Sequence, residues 1–350
     1  MKKIVTSIIG TGSHAGAWAD ALTNNNNFVI KNVSSRTKSR GLDFANRYNC
    51  KFVLDVSEIS KDNEINLIII SSSPHRNILA VDFAKNKKNM ILQKPLSLNS
   101  RDSELIFLEC KKNKLICGAG LNRHYDTFFP TVEKYIEILG KCFHAEYKGY
   151  YKGEKTDPAF SLKRIEETGG LFLGNLVHKF DQANKLFGQP ISLMATELNS
   201  TIENVVIATN VLVKYENKVS FNFSVKNDCK YNFGEFITLY CKDGIIEINF
   251  NIQTVSAILN PLNDKYSRAI LSRFKYDLLH KKKLLKFNRK KVIFSETFWP
   301  GGQKNILENF SRVFFGQNGI DLVDINDNYL STKMAFACLE SIKQKNWVKI

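Results

Sequence analysis

At 350 residues and 43% hydrophobic content, the chain has room for two domains with substantial cores. No apolar run reaches the roughly 18 residues needed to cross a bilayer, and Gly10 and Gly12 break the N-terminal apolar run before it can serve as a signal peptide, so the chain is expected in the cytoplasm without membrane insertion. A net charge of +16 raises nucleic acid as a partner, but the lysines are dispersed and the one basic run, 280–291, lacks a recognition-helix context; it reads as a solvated loop, with an anionic substrate or a membrane surface as the second reading, and no nucleic-acid partner is expected.

In chain order, Ile4 to Ile9 is a short apolar strand that runs into Gly10-Thr11-Gly12-Ser13-His14-Ala15, after which Gly16 to Leu22 has a helical pattern. Strand, glycine loop and helix in that order form a dinucleotide fingerprint. Gly10 permits a tight turn, Gly12 lets backbone approach a pyrophosphate, Ala15 lets the helix sit close to the strand, and the helix N-terminus presents free N–H groups. Phe28 to Ser35 reads as a second strand and Lys38 to Tyr48 as its return helix. The nearly continuous apolar run Ile65 to Ile70 suits a parallel strand buried on both faces, and helix Asn77–Asn86, strand Met90–Leu92, helix Ser100–Lys112 and strand Leu115–Gly120 continue the alternation. From Phe143 onward period-two alternation takes over: Cys142–Tyr151, Val205–Tyr215, Lys218–Lys226, Phe236–Cys241 and Ile245–Asn251, with Asp243-Gly244 as a hairpin signal. Helices are expected at Phe128–Leu139, Gly174–Phe187, Asn305–Phe315 and Asn326–Lys345. The expected class is α/β: an N-terminal Rossmann domain with a doubly wound parallel sheet (1–120), then an α+β domain (121–350) with a large, mostly antiparallel sheet, whose last helix can return to the first domain. Seven scattered cysteines with no Cys-x-x-Cys pair imply reduced thiols and no metal site.

Chemistry concentrates in three places. At the end of the second strand, where an NAD site carries a carboxylate for the ribose hydroxyls, the chain has Ser34-Ser35-Arg36; Ser35, Arg36 and Lys38 suit a 2′-phosphate, which favours NADP over NAD, although the same residues also suit a solvated turn. Gln93-Lys94-Pro95 follows a strand at the carboxyl edge of the sheet, where a lysine can hydrogen-bond a substrate hydroxyl, or simply lie on the surface. Gly169-Gly170 precedes a helical stretch with His178 and Asp181 on one face; a histidine titrating near neutrality can exchange protons, and it can equally be structural.

The order of glycine loop, Lys94-Pro95 and Gly-Gly followed by His178-x-x-Asp181 resembles the Gfo/Idh/MocA oxidoreductases, the glucose-fructose oxidoreductase and myo-inositol dehydrogenase family. Asn122-Arg123 after the last parallel strand, Ser73-Pro74-His75, and Lys242 to Glu247 add to the resemblance. It implies that Lys94 sits beside the nicotinamide and the reacting carbon, with Gln93 in place of the usual Glu, and that His178 is the proton donor or acceptor. It also implies cofactor contacts from the glycine loop and from Ser72, Pro74, His75 and Gln93, and substrate contacts from Asp181, Asn122, Arg123, Lys163 and Asn175. One family carboxylate is missing, because Gly174 stands four residues before His178 and only Asn175 is near to substitute. The implied activity is hydride transfer between NADP (or NAD) and a carbinol or ketone carbon of a sugar or sugar-derived molecule, phosphorylated and nucleotide-linked ones included. The alternatives are a non-catalytic nucleotide-binding regulator or a lyase or epimerase that uses the cofactor transiently. The large sheet suggests a homo-oligomer, dimer or tetramer, by analogy of fold.

Overall fold

A computed structural model of the chain describes residues 3–152, 167–198, 206–259, 284–288 and 291–350. They belong to two compact units, one of Met1–His124, Lys163–Asp181 and Gly301–Phe336, the other of Tyr125–Leu162, Gln182–Pro300 and Ala337–Ile350.

The first unit is built on a six-stranded sheet of β1 (Ile4–Ile9), β2 (Phe28–Ser34), β3 (Lys51–Val53), β4 (Leu67–Ile70), β5 (Asn89–Leu92) and β6 (Cys117–Ala119), in the spatial order β3-β2-β1-β4-β5-β6. Every neighbouring pair is parallel. This is the doubly wound arrangement, in which the chain reverses direction across the sheet between β1 and β4 and leaves a crevice at the carboxyl ends of those strands. Sequence dictates it directly: Leu67 to Ile70 are all fully buried, as a strand covered on both faces requires. Helix α1 (Ser13–Thr23) buries Ala15, Trp18, Ala19 and Leu22, the i, i+3, i+4, i+7 stripe. Helices α2 (Lys38–Arg47), α3 (Val56–Lys61), α4 (Leu79–Lys85) and α5 (Ser100–Lys112) complete the crossovers. A short 3₁₀ turn, Pro74–Ile78, precedes α4 over part of the stretch expected to be one continuous helix. Proline at its start fixes φ and removes a donor, which favours the tighter turn.

The second unit contains helix α6 (Phe129–Leu139), which buries Phe129, Val132, Tyr135 and Leu139, and a ten-stranded sheet. Its strands are β7 (Cys142–Lys152), β8 (Pro190–Glu197), β9 (Ala208–Tyr215), β10 (Ser220–Cys229), β11 (Gly234–Cys241), β12 (Gly244–Asn249), β13 (Thr254–Leu259), β14 (Leu284–Asn288), β15 (Lys291–Thr297) and β16 (Val348–Lys349). All neighbours are antiparallel except β7 and β10, which run parallel. The β11–β12 hairpin pairs Cys241 with Gly244, so its two-residue turn is Lys242-Asp243, one position before the expected one. The basic run read as a solvated loop is corrected in part: residues 284–288 pair with β15 as an edge strand. Lysines flanking a Leu-Leu-x-Phe core hid the strand, since charge on an edge strand discourages pairing with other chains without preventing pairing within the sheet.

Gly169 and Gly170 both have positive φ, +78° and +68°. They lead into a π-helical turn, Leu171–Leu176, that continues as α7 (Val177–Phe187). The expected regular helix from Gly174 is therefore regular only from Val177. Helices α8 (Gln303–Phe314) and α9 (Ile325–Gln344) follow. Among the described residues no helix is long and apolar enough to cross a membrane.

Candidate active site

The first sheet builds a phosphate cradle from two glycines of opposite character. Gly10 has φ +124°, and a Cβ there would stand 2.2 Å from the Ser71 carbonyl oxygen, so only glycine fits. Gly10 N–H donates to Ser34 O at 2.9 Å and Ser71 N–H donates to Ile9 O at 2.9 Å, which sets the ends of β2 and β4 on either side of the loop. Gly12 has an ordinary φ of −79°, yet a Cβ placed on it would meet nothing within 4 Å. The space facing Gly12 is open. It is bordered by the N-terminus of α1, which has neither a side-chain cap nor an acidic residue in its first turn. Uncapped N–H groups and the positive end of the helix dipole suit a phosphate there. The Ser72 hydroxyl, beside Gly10, is buried with no hydrogen-bond partner among the described residues. These features fit the pyrophosphate of a dinucleotide. Ser13 and His14 are exposed at the helix start, while Ala15 is fully buried against the sheet. Thr11 and Ser35 hydroxyls lie 3.2 Å apart, and Arg36 and Lys38 are exposed just beyond. Pro74 and His75 open the 3₁₀ turn after β4.

Lys94 is held at the carboxyl end of β5 by a network that the sequence does not advertise. Asn77 Nδ2 donates to the carbonyls of Gln93, Pro95 and Leu96 at 3.1, 3.1 and 3.0 Å, and Leu96 N–H donates to Thr332 Oγ1 at 3.0 Å. The Lys94 ammonium donates to the carbonyl oxygen of Gly174, 80 residues away, in a short hydrogen bond. His178 stands one turn further along. Burial holds its imidazole well below the ordinary value, and the positive charges of Lys94, Lys179 and Arg123 push it in the same direction. His178 is thus neutral at physiological pH, and its Nδ1 is buried without a hydrogen-bond partner among the described residues. The hydrogen bond from Lys94 to Gly174 sets the Lys94 loop one turn before His178 on the same helical stretch, and the charges that act on the imidazole come from that loop and from the turn after β6.

This combination of an open glycine cradle, a lysine on a strand end and a neutral histidine on a glycine-led helix is matched over nearly the whole chain. Residues 4–121 match the GFO/IDH/MocA model described as oxidoreductase family, NAD-binding Rossmann fold, and residues 136–350 match that family's C-terminal alpha/beta domain. The chain belongs to the GFO/IDH/MocA oxidoreductase family. A myo-inositol 2-dehydrogenase of Thermotoga maritima is 27% identical over 189 residues, 53% of this chain and 55% of that protein. A scyllo-inositol 2-dehydrogenase (NAD(+)) of Bacillus subtilis is 28% identical over 146 residues, 41% of each chain. These matches therefore span about half the length of the curated relatives. A putative NADPH-dependent oxidoreductase from Desulfitobacterium hafniense has the same fold, with a TM-score of 0.79 at 16% identity over 99% of this chain and 98% of that one.

The remaining family positions divide clearly. Asn122 and Arg123 lie half-buried in the 3₁₀ turn Asn122–Tyr125, and Asn122 Nδ2 donates to Gly301 O at 3.4 Å. Asp181, expected to touch substrate, is 2% exposed, and its Oδ1 lies 3.0 Å from His124 Nδ1. His124, the residue after Asn122-Arg123, carries no signal in the sequence, because its partner is 57 residues away. Asn175 is exposed, and it is the Gly174 carbonyl that receives the Lys94 ammonium. Gln93 packs against Gly120, where an added Cβ would stand 2.6 Å from its Oε1. Lys163 lies outside the described residues. Among the described residues no group of three or more His, Cys, Asp or Glu could hold a metal ion.

Proposed function

We propose that the chain is an NADP(H)-preferring oxidoreductase that exchanges a hydride with a carbinol or ketone carbon of a sugar or cyclitol, with His178 and Lys94 as its catalytic residues. The observation that carries this reading is the hydrogen bond that brings Lys94, at the carboxyl end of β5, to the helical stretch of a buried, neutral His178. The inositol dehydrogenase relatives supply the substrate class. A nicotinamide, when bound, supplies the hydride chemistry. His178, kept neutral, takes the hydroxyl proton as the alcohol is oxidised and returns it on reduction. Lys94 hydrogen-bonds the reacting oxygen and stabilises the charge that develops there. Gly174, in place of the family carboxylate, left room for a non-catalytic regulator, but its carbonyl gives Lys94 an oxygen acceptor from the backbone instead. Asn122, Arg123, Asn175 and Lys163 are our substrate-contact candidates, while buried Asp181 acts through His124. Ser35, Arg36 and Lys38 are the basis for preferring NADP over NAD. We further place the protein in the cytoplasm as a homo-oligomer with no nucleic-acid partner, the oligomer resting on the large sheet of the second unit by analogy of fold.

The test is single-turnover hydride transfer from NADPH with a panel of keto-sugars and inosose-type ketones. His178→Ala should lower the rate about 10²- to 10⁴-fold and leave NADPH affinity nearly unchanged. A variant that turns over like the parent removes the catalytic reading.

A further inference from the structure

The turn that follows β4 carries a guanidinium that the family resemblance does not assign. In the parallel sheet β1 lies between β2 and β4, and the Gly10 and Ser71 hydrogen bonds hold the ends of those two strands against the glycine loop from both sides. Arg36 lies two residues past the end of β2, and Arg76 lies in the 3₁₀ turn Pro74–Ile78 past the end of β4. Arg76 is not on a loose loop. Its own N–H donates to Ser73 O at 2.8 Å, and the next residue, Asn77, is buried and bonded to three carbonyls of the Lys94 loop.

The two guanidiniums feel each other. Burial and the charge of Arg36 together hold the Arg76 guanidinium below its ordinary value. Neither residue forms an ion pair among the described residues. Lys38, the first residue of α2, adds a third positive charge, and that helix has no acidic residue in its first turn. Arg76 is partly buried and Arg36 exposed, and two like charges brought together are unfavourable unless an anion lies between them. The crevice at the carboxyl ends of the strands is where an adenosine half would lie, with Gly12 taking the pyrophosphate.

We infer that Arg36 and Arg76 form a clamp, one from each side of the glycine loop, for the 2′-phosphate of the dinucleotide, which makes Arg76 a cofactor-specificity residue. The inference rests on the NADP(H) reading above. It gives the 2′-phosphate two planar, fork-shaped donors instead of one, and it gives a role to an arginine whose partial burial is costly.

The full-length protein is titrated with NADPH and with NADH, by quenching of tryptophan fluorescence, as the parent, Arg36→Gln, Arg76→Gln, Arg76→Lys and the Arg36→Gln/Arg76→Gln double variant, each checked by thermal melting. The expected result is a parent that prefers NADPH. Arg76→Gln should weaken NADPH about 10- to 100-fold while NADH stays within about 2-fold. Arg76→Lys, which keeps the charge, should recover part of the loss and keeps the test open if the glutamine variant misfolds. The double variant should lose less than the product of the single losses, because the two donors share one phosphate. Equal losses for NADPH and NADH in Arg76→Gln would mean that Arg76 stacks on the adenine or supports the fold, and would overturn the clamp. Unchanged affinities would overturn it too, while leaving a parent preference for NADPH to Arg36 and Lys38. A parent that binds NADH as tightly as NADPH would instead overturn the NADP(H) reading, and the clamp with it.

Discussion

Gly10 and Gly12 are two residues apart, yet substituting them should fail in opposite ways. At Gly10 an alanine Cβ would stand 2.2 Å from the Ser71 carbonyl oxygen and 2.8 Å from its carbon, backbone atoms that cannot swing aside, at a φ of +124°. The disfavoured dihedral costs about 1–3 kcal/mol, and forcing a methyl into filled space costs about 1–3 kcal/mol more. Gly10→Ala should therefore lose roughly 2–6 kcal/mol, a large fraction of ordinary domain stability. Gly12 has φ −79° and nothing within 4 Å of its missing Cβ, so the fold has room for a side chain there. Gly12→Val should change stability by only about 1 kcal/mol, the loss expected from a poor helix N-cap. Its isopropyl group would fill the open space in front of the α1 N-terminus, and NADPH affinity should drop by about 100-fold or more. Urea denaturation and NADPH titration of the two variants side by side separate the effects. Gly12→Val binding NADPH as the parent does would refute the pyrophosphate cradle, and Gly10→Ala as stable as the parent would refute the close approach of Ser71.

Two further outcomes follow from the first unit. Gly174→Asp aims its Cβ at Thr168 Oγ1, 3.1 Å away, so the added carboxylate points toward that threonine and the Lys94 hydrogen bond to the Gly174 carbonyl persists; stability should change by no more than about 1 kcal/mol, and a tenfold rise in the single-turnover rate would show that the side chain reaches Lys94 after all. Asp327 is raised to about 6 by burial and by the nearby Asp181 and Asp324 carboxylates. A carboxyl whose folded value exceeds its unfolded one costs stability above pH 6, and the cost fades as pH falls from about 6 to about 4. Asp327→Asn, whose amide oxygen can still accept the Asp324 N–H now bonded at 2.8 Å, should stabilise the protein at pH 7. Two units correspond to about 3 kcal/mol, less about 1 kcal/mol for the lost charge at the helix N-terminus, leaving roughly 2 kcal/mol. Urea melts at pH 7 and pH 4 check this, and an advantage equal at both values would rule the burial argument out.

The readable parts of the molecule are those whose physics is local. The glycine loop is legible because turn, pyrophosphate approach and helix start each need a particular small residue within six positions, Gly10 to Ala15. Strand β4 is legible because burial on both faces demands an unbroken apolar run. Strand β14 is not, since its lysine-flanked sequence is decided by a neighbour, β15, that supplies the hydrogen bonds. The helix before His178 was readable as a helix, but the π turn over Leu171–Leu176 was not, because two positive-φ glycines and the packing of Gly169 against Leu173 and Leu98 set it.

The sequence by itself determined the order of the chemistry: a phosphate loop, then a lysine after a strand, then a histidine on a helix, each signalled by residues adjacent in the chain. Only the tertiary structure decided the partners. It gave Lys94 a backbone carbonyl 80 residues away in place of a carboxylate, paired His124 with Asp181 across 57 residues, and brought the charge of Arg36 to bear on Arg76. A hydrogen bond or a charge pair depends on a separation of a few ångströms through space, and nothing in the spacing of residues along a chain encodes that distance until the sheet has set its strand order.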